Sequence, residues 1–331
     1  MKAAVLMSTY NGARFIREQL DSILDQTGEF ELDLWVRDDG STDGTKDILN
    51  DYESRGLLRW YTGENMGPAQ SFLDLVRRTL GYDWYAFADQ DDFWMPEKLS
   101  WALETLEKID AARENAVLYF SNAELVDEAL SPLGRCVYKS TPRTDFRTVT
   151  CAGGCLGCTM VFNNALARMI QEKAAPDRVV MHDFYAVELC GAMGGRVVFD
   201  PRCSMKYRQH GGNTIGVPHG LWGTLVERLR SVSNAGATGI AEQARSLLTL
   251  YGSELKEDDR AWLEKVAGYK RSLFSRAGRS SSKRERVIRF VINLESLPDC
   301  SCMFCIHSSS PCSMASTSAL VEIAVRGVFS S

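Results

Sequence analysis

Four consecutive residues, Asp89-Gln90-Asp91-Asp92, hold the densest set of reactive groups in the chain. They follow the apolar run Trp84-Tyr85-Ala86-Phe87-Ala88, which reads as a short buried strand, and precede Phe93-Trp94-Met95-Pro96. Carboxylates crowded at the end of a buried strand repel one another and resist desolvation. A divalent cation relieves both penalties, and hard oxygen ligands select Mg2+ or Mn2+. Such a cation commonly bridges protein carboxylates to the phosphates of a substrate. The bland alternative is a polar loop whose charges are simply solvated.

A second cluster, Asp39-Gly40-Ser41-Thr42-Asp43-Gly44, opens like a calcium loop. Its twelfth position is Asn50, where a calcium loop needs a bidentate glutamate, so that reading fails. Two readings remain. The cluster is a helix N-terminus with Ser and Thr caps and acidic residues favoured by the helix dipole, or Asp39 accepts a hydrogen bond from a nucleobase N–H. No Gly-x-Gly-x-x-Gly follows the first apolar strand, which weighs against a dinucleotide oxidoreductase.

The elements that must position these clusters alternate in type. Residues 3–7 form an apolar strand ending in Ser8-Thr9-Tyr10-Asn11-Gly12, after which Phe15, Ile16, Leu20, Ile23 and Leu24 fall at helical spacing. Residues 32–36 form a second strand, and a helix from Thr45 carries Ile48, Leu49 and Tyr52 on its buried face. Residues 57–61 form a third strand, Gly67-Pro68 opens the next helix, and the fourth strand leads into the carboxylates. Pro96 suits a first helical turn, predicting a helix over 98–109. Residues 117–120 are another strand, and 153–162 hold a glycine-rich turn running into one more. This rhythm predicts an α/β fold with a mostly parallel sheet and ligands beyond the carboxyl ends of its strands.

The 331 residues, 45% hydrophobic, suffice for one large or two ordinary domains, and the net charge of −5 argues against a bulk electrostatic grip on nucleic acid. No run reaches eighteen apolar residues, so no membrane span is expected, and the apolar start stops at Ser8, too soon for a signal peptide. Ten cysteines without framework-like spacing predict reduced thiols and a cytoplasmic address. Residues 221–293 read as helical and increasingly basic, with Lys270, Arg271, Arg276, Arg279, Lys283, Arg284 and Arg286 forming an excess of positive charge. That cluster is either a solvated face or a peripheral contact with anionic lipid. The tail from Leu297 holds four cysteines and nine serines but three charged residues, and predicts poor order. Neither its cysteines nor Cys151, Cys155 and Cys158 match a closed zinc pattern.

Taken together, Ser8-Thr9-Tyr10-Asn11-Gly12, Arg37-Asp38-Asp39-Gly40-Ser41-Thr42-Asp43-Gly44-Thr45, Asn65-Met66-Gly67 and Asp89-Gln90-Asp91-Asp92-Phe93-Trp94-Met95-Pro96-Glu97-Lys98-Leu99 resemble the family 2 glycosyltransferases with the GT-A fold. Gly157-Cys158-Thr159-Met160-Val161-Phe162-Asn163, Met181-His182-Asp183 and Tyr207-Arg208-Gln209-His210-Gly211-Gly212-Asn213-Thr214 resemble the bacterial rhamnosyltransferase branch, which builds O-antigen and related surface polysaccharides. The resemblance implies a GT-A, Rossmann-like domain over residues 1–216, a helical basic extension over 217–295 and an atypical Ser/Cys-rich tail over 296–331.

The resemblance also implies roles. Ser8, Tyr10 and Asp39 would hold the base and ribose of a dTDP- or UDP-sugar. Asp91 would bind the metal, with Asp89 ordering the ribose or the metal's waters, and His210 would touch the diphosphate or complete the metal shell. Asp183 would be the general base, taking a proton from the hydroxyl of a glycan or lipid-linked acceptor. His182, placed beside a strand, would hydrogen-bond a backbone carbonyl or serve the site. Two other functions stay open: a nucleotide-sugar-binding protein without transfer activity, and an Asp-x-Asp phosphatase. The phosphatase pattern expects its motif near the first strand with Thr or Val two residues on, where this chain has Phe93 after four elements.

Overall fold

The structure, a computed structural model, describes residues 1–109, 114–210 and 237–268. Its framework is β1 (Lys2–Thr9), α1 (Ile16–Leu24), β2 (Glu31–Asp38), α2 (Thr45–Ser54), β3 (Arg59–Thr62), α3 (Gly67–Arg78) and β4 (Trp84–Ala88). Then come β5 (Phe93–Trp94), α4 (Lys98–Ile109), β6 (Val117–Val126), β7 (Pro132–Cys136), α5 (Phe146–Ala152), β8 (Val161–Asn163), α6 (Asn164–Glu172), α7 (His182–Ala192) and β9 (Arg196–Arg208). Two further helices follow, α8 (Ala237–Tyr251) and α9 (Glu257–Ala267). The basic cluster from Lys270 to Arg286 and the tail lie outside the described residues.

The sheet runs β3-β2-β1-β4-β8-β6-β9-β5, with β7 on β6. The expected parallel pairing holds from β3 through β4, and again between β6 and β9. Between them, β8 pairs antiparallel with both β4 and β6, while β5 and β7 pair antiparallel with β9 and β6, so the sheet as a whole is mixed. β8 is three residues long, and Asn163 ends it by capping α6: its side chain accepts from the Leu166 N–H at 3.2 Å.

Strand alternation explains the layers. On β1, Ala4 and Leu6 face one apolar cluster with Phe72 of α3, Leu166 of α6 and Tyr185 of α7, whereas Ala3, Val5 and Met7 face a second with Ile16 and Leu20 of α1, Leu49 of α2 and Leu99 of α4. Both faces of the sheet are therefore covered, which is why β1 reads as a continuous apolar run. Truncating a fully buried residue here, such as Leu6→Ala, would cost about 2–5 kcal/mol. Ala244, Leu247 and Tyr251 of α8 and Leu263 of α9 belong to the first cluster, so the C-terminal helices extend the same core.

The strand order fixes where a ligand can enter. The chain leaves β1 toward β2 on one side, and β4 lies on the other, so a crevice opens at the carboxyl ends of β1 and β4, where α/β sheets bind ligands. β5 then pairs with β9 through Phe93–Lys206 and Trp94–Met205, which brings the end of β9 over the acidic turn.

Candidate active site

The acidic turn after β4 is bound on two sides. Gln90 folds back toward β1, accepting from the Thr9 hydroxyl at 2.5 Å and the Tyr10 N–H at 2.9 Å. A Cβ on Gly12 would overlap the amide end of Gln90, so a side chain there would displace Gln90 from this contact. On the other side, Arg208 is buried and brackets the turn: its Nε donates to the Asp91 carbonyl at 2.7 Å, Nη2 to Glu18 at 2.6 Å, and Nη1 to the Glu128 carbonyl. Its backbone N–H donates to Asp92 Oδ1 at 3.1 Å, and its guanidinium lies 4.6 Å from the Phe15 ring centroid.

This bracket gives each carboxylate a different environment. Asp91 Oδ2 lies 2.7 Å from His210 Nε2, so the two residues expected at the diphosphate end are in direct contact. Asp92 is fully buried and faces Asp89 and the Cys158 thiol, with one polar atom of each within 4.8 Å of the others, and among the described residues no N–H or hydroxyl donor reaches Asp92 Oδ2. Burial, then the charges of Asp91 and Asp183, push Asp89 up to about 7; burial, then Asp91 and Asp89, push Asp92 well above the carboxylate range. Lys98 is buried nearby with its Nζ 4.5 Å from the Trp94 ring centroid, and burial lowers its pKa to about 8.

A divalent cation fits this donor set. Carboxylates held partly protonated by burial and by mutual repulsion would ionise beside it, and the Asp92 oxygen that no N–H or hydroxyl of the described residues meets marks a place short of positive charge. The close cluster joins Asp89 and Asp92 to Cys158, whose buried sulfur is a poor partner for such an ion, and Asp89 with the adjacent Asp91 could supply hard oxygen ligands. Sequence reasoning assigned no individual role to Asp92, Lys98, Gln90 or Arg208. Their roles come from contacts up to 190 residues apart in the chain.

At the neighbouring strand ends, Ser8 is half-buried and Tyr10 is 48% exposed. Asp39 is buried and heavily engaged: Oδ1 accepts from Ser71 Oγ at 2.7 Å and contacts Arg37 at 3.0 Å, while Oδ2 accepts from the Met66 and Gly67 N–H groups at 3.2 and 3.1 Å. It thus joins the second sequence cluster to Asn65-Met66-Gly67 at the start of α3. Arg37 completes this joint by donating to Asp74 at 2.8 Å and to the Glu64 carbonyl at 2.9 Å. The β1 and β2 turns lock together as Asn11 Oδ1 accepts from the Thr42 N–H at 2.9 Å and Thr45 Oγ1 accepts from the Gly12 N–H at 2.9 Å.

Asp183 lies in the first turn of α7. Oδ2 accepts from the Gly157 N–H at 3.1 Å and Oδ1 from the Phe184 N–H at 2.6 Å. Burial raises it to about 6, with those backbone donors holding it down, and its charge is felt by Asp89. Gly157 is required here: a Cβ would sit 2.9 Å from that of Asp183. His182 corrects an expectation. It opens a helix instead of lying beside a strand, and its ring stacks on Phe72 at 3.9 Å and meets the edge of Phe87 at 4.8 Å. Neither ring nitrogen has a hydrogen-bond partner among the described residues, and burial pushes its pKa down to about 3, so it is a neutral packing residue.

The family model described as Glycosyl transferase family 2 matches residues 4–169, half of the chain. The chain belongs to glycosyl transferase family 2. The matched segment holds Ser8, Tyr10, Asp39, Asp89 and Asp91, while Asp183 and His210 lie beyond it. This glycosyltransferase is 30% identical over 223 residues to the dTDP-rhamnosyl transferase RfbG of Shigella flexneri, a match covering 63% of this chain and 73% of that one. Its fold is similar to that of TarS residues 1–349 from S. aureus, with a TM-score of 0.54 at 17% identity over 90% of this chain and 81% of that one. The UDP complex of the same TarS fragment gives a TM-score of 0.51 at 18% identity, covering 90% of this chain and 81% of that one. The fold is GT-A. Among the described residues of the glycosyltransferase, no helix is long and apolar enough to cross a membrane.

Proposed function

We propose that this enzyme is a metal-dependent, inverting glycosyltransferase that moves L-rhamnose from a dTDP-sugar to a growing surface polysaccharide or a lipid-linked oligosaccharide, working at the cytoplasmic face of the membrane. The observation that carries the reading is the meeting of two carboxylate environments at one turn: Gly157 donates to Asp183, and the thiol of the next residue, Cys158, lies within 4.8 Å of an Asp89 oxygen. Asp183, raised to about 6, is ionised near neutral pH yet basic enough to accept a proton. Near it, Asp89 and Asp91 form the acidic end expected to meet a diphosphate. The similarity to a dTDP-rhamnosyl transferase supports the choice of donor.

In this mechanism Ser8, Tyr10 and the edge of Asp39 orient the base and ribose, and the bracket made by Arg208 fixes the acidic turn. Asp183 takes the proton from the acceptor hydroxyl as its oxygen bonds to the anomeric carbon from the face opposite the leaving nucleoside diphosphate. Mg2+ or Mn2+, held by Asp91 and Asp89, would supply positive charge for the departing diphosphate. His210, in contact with Asp91, would complete that end of the site.

The test is a donor panel. dTDP-rhamnose, UDP-glucose, UDP-N-acetylglucosamine and GDP-mannose are compared for thermal stabilisation and slow hydrolysis with Mn2+ present. The reading predicts a preference for dTDP-rhamnose that chelation abolishes. A clear preference for another donor removes the rhamnose assignment, and chelator-resistant hydrolysis removes the metal.

A further inference from the structure

Tyr138 belongs to none of the family motifs, yet it is tied into the wall that carries the base. Its backbone is clamped from β6: the Asn122 side chain accepts from the Tyr138 N–H at 3.0 Å and donates to the Tyr138 carbonyl at 2.9 Å. Its ring meets Phe120 and Phe199 edge-on, with centroids 5.8 and 5.2 Å apart, which fixes where its hydroxyl points. That hydroxyl donates to the Gly154 carbonyl at 2.8 Å and accepts from the Leu156 N–H at 2.8 Å. One atom therefore closes the turn between α5 and Gly157. Gly153 and Gly154 both take positive φ, 59° and 96°, so the turn has little backbone stiffness of its own. The next N–H along the chain, that of Gly157, is the one that donates to Asp183.

We propose that Tyr138 is a positioning residue for the reaction: its hydroxyl sets the turn that aims the Gly157 N–H at Asp183 and so holds that carboxylate in place for proton transfer. The inference rests on Asp183 being the base. The ionisable groups around Asp183 are Asp89, the Cys155 thiol, the Tyr138 hydroxyl itself and neutral His182 in its own helix. Burial pushes Cys155 and Tyr138 up, so neither ionises in the range where Asp183 titrates.

The experiment compares wild type, Tyr138→Phe and Asp183→Asn. Tyr138→Phe keeps the ring packing and removes only the hydroxyl. Three quantities are measured: kcat for donor hydrolysis against pH at saturating Mn2+, dTDP affinity by calorimetry, and amide exchange in residues 153–160. Removing both hydrogen bonds of the hydroxyl should lower kcat about tenfold with dTDP affinity unchanged. Losing the Gly157 donor should also move the acidic limb of the kcat profile to higher pH by about half a unit or more, and exchange in 153–160 should quicken. A kcat and limb like wild type in Tyr138→Phe, with Asp183→Asn inactive, would overturn the proposal alone; so would a lower kcat with the limb unmoved, since a purely structural defect does that. Unimpaired turnover by Asp183→Asn would overturn the base assignment and this inference with it. The exchange measurement needs no turnover: unchanged protection in 153–160 also counts against Tyr138.

Discussion

Arg208 holds the crevice's acidic edge, and its removal has a calculable cost. The residue is 2% exposed, and Arg208→Met keeps the bulk of the stem while deleting the fork. The part-buried carbonyls of Asp91 and Glu128 then lose their donor, and each hydrogen bond to a charged group is worth about 1.5–3 kcal/mol. The pair with Glu18 adds little, about 0–1 kcal/mol, because the Glu18 side chain is 57% exposed and its charge is screened. Relief of the guanidinium's own desolvation offsets part of the loss. The balance is a destabilisation of about 2–4 kcal/mol. Arg208→Lys retains the charge but cannot donate in the three directions of the planar fork, so about half of that loss should persist. His210, two residues on, contacts Asp91 at 2.7 Å, and loosening the bracket should weaken Mn2+-dependent dTDP binding about tenfold in either variant. Chemical denaturation and calorimetry measure the two effects. Wild-type stability together with wild-type nucleotide affinity in Arg208→Met would refute the bracket.

Individual groups carry further expectations. Asp91→Ala should abolish transfer and remove the Mn2+-dependent tightening of dTDP binding, and Asp91→Asn should come close to it; chelator-resistant, near-normal activity in either would contradict the metal assignment. Glu188 is buried in α7, accepts from the Gln243 amide at 2.6 Å, and is pushed up to about 8 by burial. Because its folded pKa is raised above the ordinary glutamate value of 4.5, the folded state holds a proton that the unfolded state releases, and stability should fall as pH rises from about 4.5 to about 8. Glu188→Gln should flatten that window and gain about 1–3 kcal/mol at pH 7 by denaturation, and a variant that keeps the wild-type slope would exclude Glu188 as its source.

The parts of the molecule legible in the sequence are those whose signals are local. β1 to α4 were readable because apolar periodicity and turn residues sit within a few positions of one another, as with Ile48, Leu49 and Tyr52 behind Thr45. α7 was not, because Phe184 to Val187, Leu189 and Cys190 are all buried, and a helix apolar on every side has no 3.6-residue stripe to read. β5 has two residues and exists through its pairing with β9, whose path is itself bulged opposite Ser121 to Glu124. In the crevice, the motifs named the groups that would meet substrate. The groups that hold them, Arg37, Gln90, Lys98, Tyr138 and Arg208, act through contacts that only the folded chain creates. Asp39 illustrates the difference: its type and place at a strand end suggested a base-binding acceptor, while its partners Ser71, Met66 and Gly67 also make it the joint between β2 and α3.

In the proposed mechanism, glycosyl transfer depends above all on Asp183 acting as the base, and Asp183→Asn is the sharpest probe because it keeps the shape of the side chain and removes its basicity. The measurement is turnover with a lipid-linked acceptor, beside donor affinity by calorimetry on the same preparation. Donor affinity should stay near wild type while turnover falls by roughly two to four orders of magnitude. Turnover within a few-fold of wild type, or a donor affinity that collapses in parallel with the rate, would show that Asp183 is not the base.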